Sequence, residues 1–387
     1  MIDFTPTDEQ TALIKNVRRF VRNEIMPVEL DLDADCTTLP AAIHERLATQ
    51  VDAMGMAHIN VPVEYGGAGL DMVTQTLLAI EMTQHKAGLY APCYNLFCQT
   101  ALAQLYDGTD DQKERYLRPT LAGTKKGFFG LSESHGGSDP ARAIRTIARR
   151  KGDDWMISGS KLWISGADCA DYGLIFARTG DGRGGITAFI VDTDMPGFEV
   201  RRIVHTLRST HPATEISLDE VLVPDANRIG EVGQGFAIAG ERLNAQRIPY
   251  SAQCLGVAEA AHRMAINYAG IRETFGQPLA ARGGIQWMLV ENEIELRSAR
   301  LVVLEAAAKA DRGEPFRTEA AVAKIVATES AGRIVDRAMQ IHGGLGVAKD
   351  LPLERWWREL RIRRIGEGPT EVQKYIIARE LLGKVAA

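Results

Sequence analysis

Between residues 127 and 223 the chain passes through five short blocks of β-branched and aromatic residues: GFFGLS, WMISGSKLWIS, YGLIFART, GITAFIVD and TEISLDEVLV. Gly, Asp and Pro separate them, and no helix-length segment intervenes. Parallel strands need long crossovers, so strands this closely spaced predict an antiparallel barrel or sandwich. On both sides the period changes to that of a helix. Leu13, Ile14, Val17, Phe20, Val21 and Ile25 share one face between Thr7 and about Met26, and further helical stretches fall around 40–54, 72–85 and 92–106. Breaker clusters, PVEYGGAGLD and DGTDD, divide them. Beyond residue 233 long helices return, one marked by Ile285, Met288, Leu289, Leu296, Ala299, Val303, Ala306 and Ala307, another running from Thr318 to Ile341. The expectation is an α+β chain with an N-terminal helical domain over 1–122, a middle antiparallel β-domain over 123–233, and a C-terminal four-helix bundle over 234–387.

Bulk properties narrow the chemistry. A length of 387 residues fits two to three domains. A net charge of -5 offers no general attraction to nucleic acid or to an anionic membrane, so neither is expected as a partner. Arg355, Arg358, Arg361, Arg363 and Arg364, mixed with Glu354, Glu359, Trp356 and Trp357, read as a helix of paired charges forming a solvated face or a subunit contact. Cys36, Cys93, Cys98, Cys169 and Cys254 form no CxxC pair and are odd in number, which argues against a disulfide framework and a metal site. The start, MIDFTPTDEQ, lacks a basic segment followed by an apolar core, and no apolar run of membrane-spanning length occurs. A reduced, cytoplasmic protein is expected, although a mature organellar chain would read the same.

The usual carriers of nucleotide, metal and serine chemistry are missing: GxGxxG, HExxH, GxSxG and Walker A motifs do not occur. Other segments stand out. FFGLSESHGGSD, residues 128–139, follows a strand with hydroxyls and a glycine pair, either a plain inter-strand turn or a cradle for polar ring edges and phosphates. Trp163 and Ser165 lie on the next long strand, where an indole serves either core packing or a planar cofactor. Near the end, RRIGEGPTEVQ sets Glu367 between two glycines ahead of a helix. Thr370 and Gln373 have capping-box spacing there. Glycines on both sides allow unusual dihedrals and close approach, so Glu367 is an ordinary turn glutamate or an exposed base.

Together these segments resemble the acyl-CoA dehydrogenase family, FAD-dependent enzymes that introduce an α,β double bond into a CoA thioester. FFGLSESHGGSD followed by SKLWISG is similar to the family's flavin signature, and QIHGGLG at 340–346 with GEG around Glu367 is similar to its C-terminal one. The resemblance covers the whole chain. It implies that Phe129, Leu131, Ser132, Gly137 and Ser138 meet the flavin and its pyrophosphate, Ser138 also lying near the thioester, and that Trp163 and Ser165 cover one flavin face. It further implies that Arg272, Thr274, Phe275, Arg282, Gln340, Gly343 and Gly344 reach the FAD of a neighbouring subunit. Pro369 and Glu371 would border the cofactor, while Asn244, Arg247 and Gly368 would line the acyl-CoA. The implied assembly is a homo-oligomer, usually a tetramer, and the implied electron acceptor is an electron-transferring flavoprotein.

Glu367 matches the family's base, which removes the α-proton while hydride leaves the β-carbon for flavin N5. Some relatives draw the base from the helix, at the position matched here by Gln246, which cannot accept a proton. Three departures stand out. Arg282, Gly283 and Gly284 replace the usual glutamine-containing segment after RETFGQPL. Pro369 replaces a threonine that bonds the flavin. Gly366 replaces a tyrosine, which suggests a roomier acyl pocket suited to a branched or cyclic group. Competing functions are a flavin oxidase or monooxygenase, an enoyl-CoA reductase, and a non-catalytic helical binding protein.

Overall fold

The computed structural model describes residues 5–36, 39–89, 93–98, 101–207 and 212–383. Residues 1–4 and part of the stretch 92–106 lie outside them. Packing divides the chain into two units, residues 1–99 with 244–387, and residues 100–243. These limits differ from those drawn between periodicities, because packing groups elements by contact and not by order along the chain.

In the first unit α1 (Asp8–Phe20) starts where the Thr7 hydroxyl accepts from Gln10 N and the Gln10 side chain accepts from Thr7 N. Its helical path does not stop near Met26 but continues through a π-turn, Val21–Ile25, to Leu30. α2 (Ala41–Ala53) and α3 (Met72–Met82) follow. Val17, Phe20, Leu47, Val51, Leu78 and Phe97 form their core, with the Phe20 and Phe97 rings edge-to-face at 5.5 Å. Where a helix over 92–106 was expected, only Cys93–Phe97 and a 3₁₀ turn, Ala103–Leu105, form among the described residues.

The C-terminal helices are α4 (Gly235–Ile271), α5 (Gly283–Asp311), α6 (Arg317–His342), α7 (Leu353–Arg363) and α8 (Thr370–Leu382). Ala299, Val303 and Ala306 of α5 meet Ala320, Ala323 and Ala327 of α6, and side chains this small let backbones approach closely. Two of the arginines of α7 turn inward, while Arg361 stays exposed. Arg355 and Arg363 are both only 3% exposed. Arg355 Nη1 donates to the carbonyls of Ala34 and Cys36, Arg363 Nη2 to Leu89 O and Gln253 Oε1, and Arg358 pairs with Glu354 and Asp35. A guanidinium is tolerated inside when fixed acceptors meet it, and a hydrogen bond involving a charged group contributes about 1.5–3 kcal/mol.

The second unit is built on one sheet. β1 (Gly127–Gly130), β2 (Ile147–Lys151), β3 (Asp154–Ser165), β4 (Tyr172–Arg178), β5 (Ile186–Asp192), β6 (Phe198–Val204), β7 (Ala213–Val223) and β8 (Arg228–Ile229) lie in the order 6-7-3-2-4-5-8, with β1 beside β4. Most pairs are antiparallel, as the spacing predicts, but β1 runs parallel to β4 and β2 touches β4 in parallel at one residue pair. The sheet is therefore mixed, since the loop and short helix after β1 provide the crossover. β3 changes register between Leu162 and Ile164, and Trp163 takes φ 67° at that bulge. Among the described residues no helix is long and apolar enough to cross a membrane, and no cluster of metal-ligating side chains occurs.

Candidate active site

The C-terminal turn is assembled from backbone strain and buried bracing. After α7, the N–H groups of Ile365 and Gly366 return to Ile362 O, and Glu367 and Gly368 then take φ 55° and 90°. A left-handed non-glycine residue costs about 1–3 kcal/mol and persists only where surroundings fix it. Gln373, fully buried, donates through Nε2 to Gly368 O at 2.8 Å and Glu367 O at 3.3 Å, and Arg247 Nε reaches Glu367 O at 3.4 Å. The capping box read at Thr370 and Gln373 is therefore not formed. Pro369 is the cap residue without a side-chain bond, because Gln373 bonds the turn carbonyls and the Thr370 hydroxyl donates to Glu329 Oε1.

Two residues of α6, neither singled out by sequence, clamp this turn. Lys324 Nζ donates to Arg364 O at 2.9 Å, and Glu329 pairs with the Arg364 guanidinium at 2.7 Å while accepting from Thr370. Glu329 thus holds both ends of the turn. Glu329→Ala should therefore release the turn and lower the rate of any step that Glu367 serves by about tenfold or more, since small misplacements of a reacting group are costly; single-turnover kinetics provide the check. No local sequence signal marks either residue, because each acts across tens of intervening positions.

The Glu367 side chain is half-buried, and its Oε2 is a buried oxygen without a hydrogen-bond partner among the described residues. Arg247 is 4% exposed and Lys324 fully buried. Burial pushes the Arg247 guanidinium down to about 10, against the opposing pull of the Glu367 charge. Burial likewise brings the Lys324 ammonium down to about 8, again with Glu367 among the charges that oppose the shift. Asn244 Oδ1 accepts from Arg247 Nη1, while Gln246 is exposed. The space opened by Gly366 is not empty: a Cβ there would lie 2.6 Å from Tyr250 Oη. The roomier pocket inferred from a missing ring is thus corrected, because a phenol from α4 fills that volume.

In the β-unit, Ser132 and β3 are stitched together: Leu162 N donates to Ser132 O, and Ser132 Oγ donates to Leu162 O at 2.8 Å. Next to them Trp163 is 54% exposed, a large indole presented to its surroundings by the bulge. Ser165 is exposed at the end of the same strand, and Leu131 is buried. Phe129 is half-buried, with the Arg242 guanidinium 4.2 Å from its ring centroid. Gly137 and Ser138 are exposed, and a Cβ on Gly137 would meet nothing within 4 Å. An open glycine-bearing loop beside an exposed indole fits a flat flavin with its phosphates.

What shapes that loop is a buried ion pair. Lys161, fully buried, donates to Glu133 Oε1 at 2.8 Å and to the Phe176 carbonyl at 2.6 Å. Glu133 also accepts from Thr146 and from Arg145 N. The carboxylate and lysine of the two flavin-like segments therefore bond to each other. Burial opposes ionisation of Glu133, but the Lys161 charge and these hydrogen bonds outweigh it and hold its carboxyl below the ordinary range.

The other expected cofactor residues belong to the first unit. Arg272, Thr274 and Phe275 form a hairpin, β9 (Glu273–Thr274) and β10 (Gln277–Pro278), whose tip carries Phe275 at φ 49° and 96% exposure. Arg282 braces it, donating to Thr274 O at 2.6 Å with its guanidinium 5.7 Å from the Phe275 ring centroid. Gln340, Gly343 and Gly344 are exposed where α6 ends, and Glu371 is exposed on the first turn of α8.

Comparison with known proteins covers the chain. Family models described as the acyl-CoA dehydrogenase N-terminal, middle and C-terminal domains match residues 7–124, 128–221 and 233–382. The chain is 38% identical to the 3-(aryl)acrylate reductase of Clostridium sporogenes, over 97% of this chain and 99% of that protein. It is 34% identical to the short-chain specific acyl-CoA dehydrogenase of Clostridium acetobutylicum, over 98% of this chain and all of the other. The butyryl-CoA dehydrogenase structure from Megasphaera elsdenii superposes with a TM-score of 0.86 at 33% identity, covering 98% of this chain and 100% of that one.

Proposed function

The chain belongs to the acyl-CoA dehydrogenase family, FAD-dependent enzymes that convert an acyl-CoA thioester to its enoyl-CoA, and from that premise we propose that Glu367 is the base that takes the α-proton. What carries the assignment is the buried, unpartnered Oε2 of Glu367 on a left-handed turn that Gln373, Arg247, Lys324 and Glu329 hold in place. An acceptor oxygen kept dry and free of internal donors is ready to receive a proton. The N–H of Glu367 is assigned to the thioester carbonyl, where it would stabilise the developing enolate. Phe129, Leu131, Ser132, Gly137, Ser138, Trp163 and Ser165 are assigned to FAD, which when bound supplies the hydride acceptor for the β-carbon. Asn244, Arg247 and Gly368 are assigned to the acyl-CoA, with Pro369 and Glu371 at the cofactor's border. The test is the visible spectrum of the pure protein before and after anaerobic addition of acyl-CoA thioesters; a flavoprotein that no thioester bleaches would sink the assignment. Trp163→Ala should weaken FAD retention about tenfold, measured as the dissociation constant of the cofactor.

We assign Arg272, Thr274, Phe275, Arg282, Gln340, Gly343 and Gly344 to the FAD of another subunit in a homotetramer, with electrons passing to an electron-transferring flavoprotein in the cytoplasm. Support for an assembly comes from Phe275, Trp287 and Ile294, which are 96%, 69% and 59% exposed. Sedimentation velocity checks the assembly, and oxygen consumption against flavoprotein reduction checks the acceptor.

The relative named a reductase favours a second direction, in which Glu367 returns a proton to the α-carbon of an enoyl thioester. Rates of acyl oxidation and enoyl reduction on one enzyme sample distinguish the two.

A further inference from the structure

The phenol of Tyr250 and any side chain on residue 366 compete for one volume. A Cβ on Gly366 would lie 2.6 Å from Tyr250 Oη and 3.7 Å from its Cζ, well inside van der Waals contact with the oxygen. The ring cannot easily withdraw. The Arg363 guanidinium sits 4.1 Å from its centroid, and that arginine is itself fixed by Leu89 O and Gln253 Oε1. Tyr250 also follows Pro249, which has no N–H to give to the preceding turn of α4 and sets its own φ. Residue 366 immediately precedes Glu367 in the chain, so the phenol packs against the residue next to the proposed base.

We propose that Tyr250 is the specificity-determining residue of the acyl site, its ring closing the volume beside the base so that short, unbranched acyl-CoA thioesters are preferred over longer or branched ones. The inference rests on Glu367 as the base, since the acyl α-carbon must come to that carboxylate. A glycine at 366 is then required by Tyr250, and the two positions form one wall built from α4 and the turn after α7. The wall acts through bulk: the hydroxyl is not needed for the preference, only the ring that carries it.

The test uses the intact FAD-loaded enzyme and a set of straight-chain, long-chain and branched acyl-CoA thioesters. Tyr250→Ala should raise the ratio of kcat/KM for branched or long substrates to that for short ones by about tenfold or more, because each methylene admitted or refused changes kcat/KM about 10–200-fold. Tyr250→Phe should keep the wild-type ratio. Gly366→Ala alone should depress kcat/KM for every substrate, and Tyr250→Ala with Gly366→Ala should recover much of that loss, a non-additive outcome expected of contacting residues. An unchanged substrate ratio in Tyr250→Ala, or a Gly366→Ala enzyme equal to wild type, overturns the proposal. If Tyr250→Ala does not fold, Tyr250→Leu is measured by the same ratio. Glu367→Gln separates the two claims: bleaching that persists in that variant removes the base assignment, whereas a flat ratio in enzyme that still needs Glu367 removes only the wall.

Discussion

Glu367→Gln should purify yellow, bind acyl-CoA, and fail to bleach. The substitution keeps the size of the side chain and leaves untouched the backbone bonds that hold the turn, since Gln373 and Arg247 both bond the Glu367 carbonyl and not its carboxylate. Only proton acceptance is lost. General-base catalysis contributes about 10²- to 10⁴-fold, so single-turnover flavin reduction should fall by at least the lower figure. The position of α4 matched to the alternative base is Gln246, which cannot accept a proton. Near-wild-type reduction in the variant would require a different base and would remove the proposed role.

Lys161→Met should have the largest effect on stability. It leaves Glu133 buried beside Thr146 with its principal counter-charge gone, and removing one partner of a buried pair costs about 3–5 kcal/mol. The thermal midpoint of the purified protein should drop by several degrees, with flavin loss at lower temperature, because the same pair sets the loop from Leu131 to Thr146. A pH dependence follows. The folded-state carboxyl of Glu133 lies below its ordinary value, so the stability it contributes is present above the unfolded pKa and is lost as pH falls through the folded one. In Lys161→Met burial of Glu133 is no longer offset by that charge and its folded-state carboxyl rises, so the acid-side loss of stability from this group should shrink and the deficit against wild type should be largest at neutral pH. A midpoint and acid limb equal to wild type would show that the pair does not organise the loop.

The parts of the molecule legible in sequence were those governed by neighbours along the chain. The helical faces of α1 and α5, the closely spaced strands and the glycine-flanked Glu367 all carry their signal within one or two turns. Partners distant in sequence carried none. Gln373 has the spacing of a cap to Thr370, yet two turn carbonyls, those of Glu367 and Gly368, compete for its amide and win. The arginines of α7 look solvated beside Glu354 and Glu359, but Leu89, Gln253, Ala34 and Cys36 provide acceptors that only folding brings near. Gly366 read as vacant for the same reason: Tyr250 reaches it from another helix.

The Phe275 hairpin has a practical consequence for anyone handling the protein. An almost wholly bared aromatic ring at the end of a braced two-stranded finger gains little from a lone chain. If that finger clasps the cofactor of a neighbouring copy, cofactor loss obeys mass action: diluting the sample pulls chains apart and releases FAD with them, and added FAD drives reassembly.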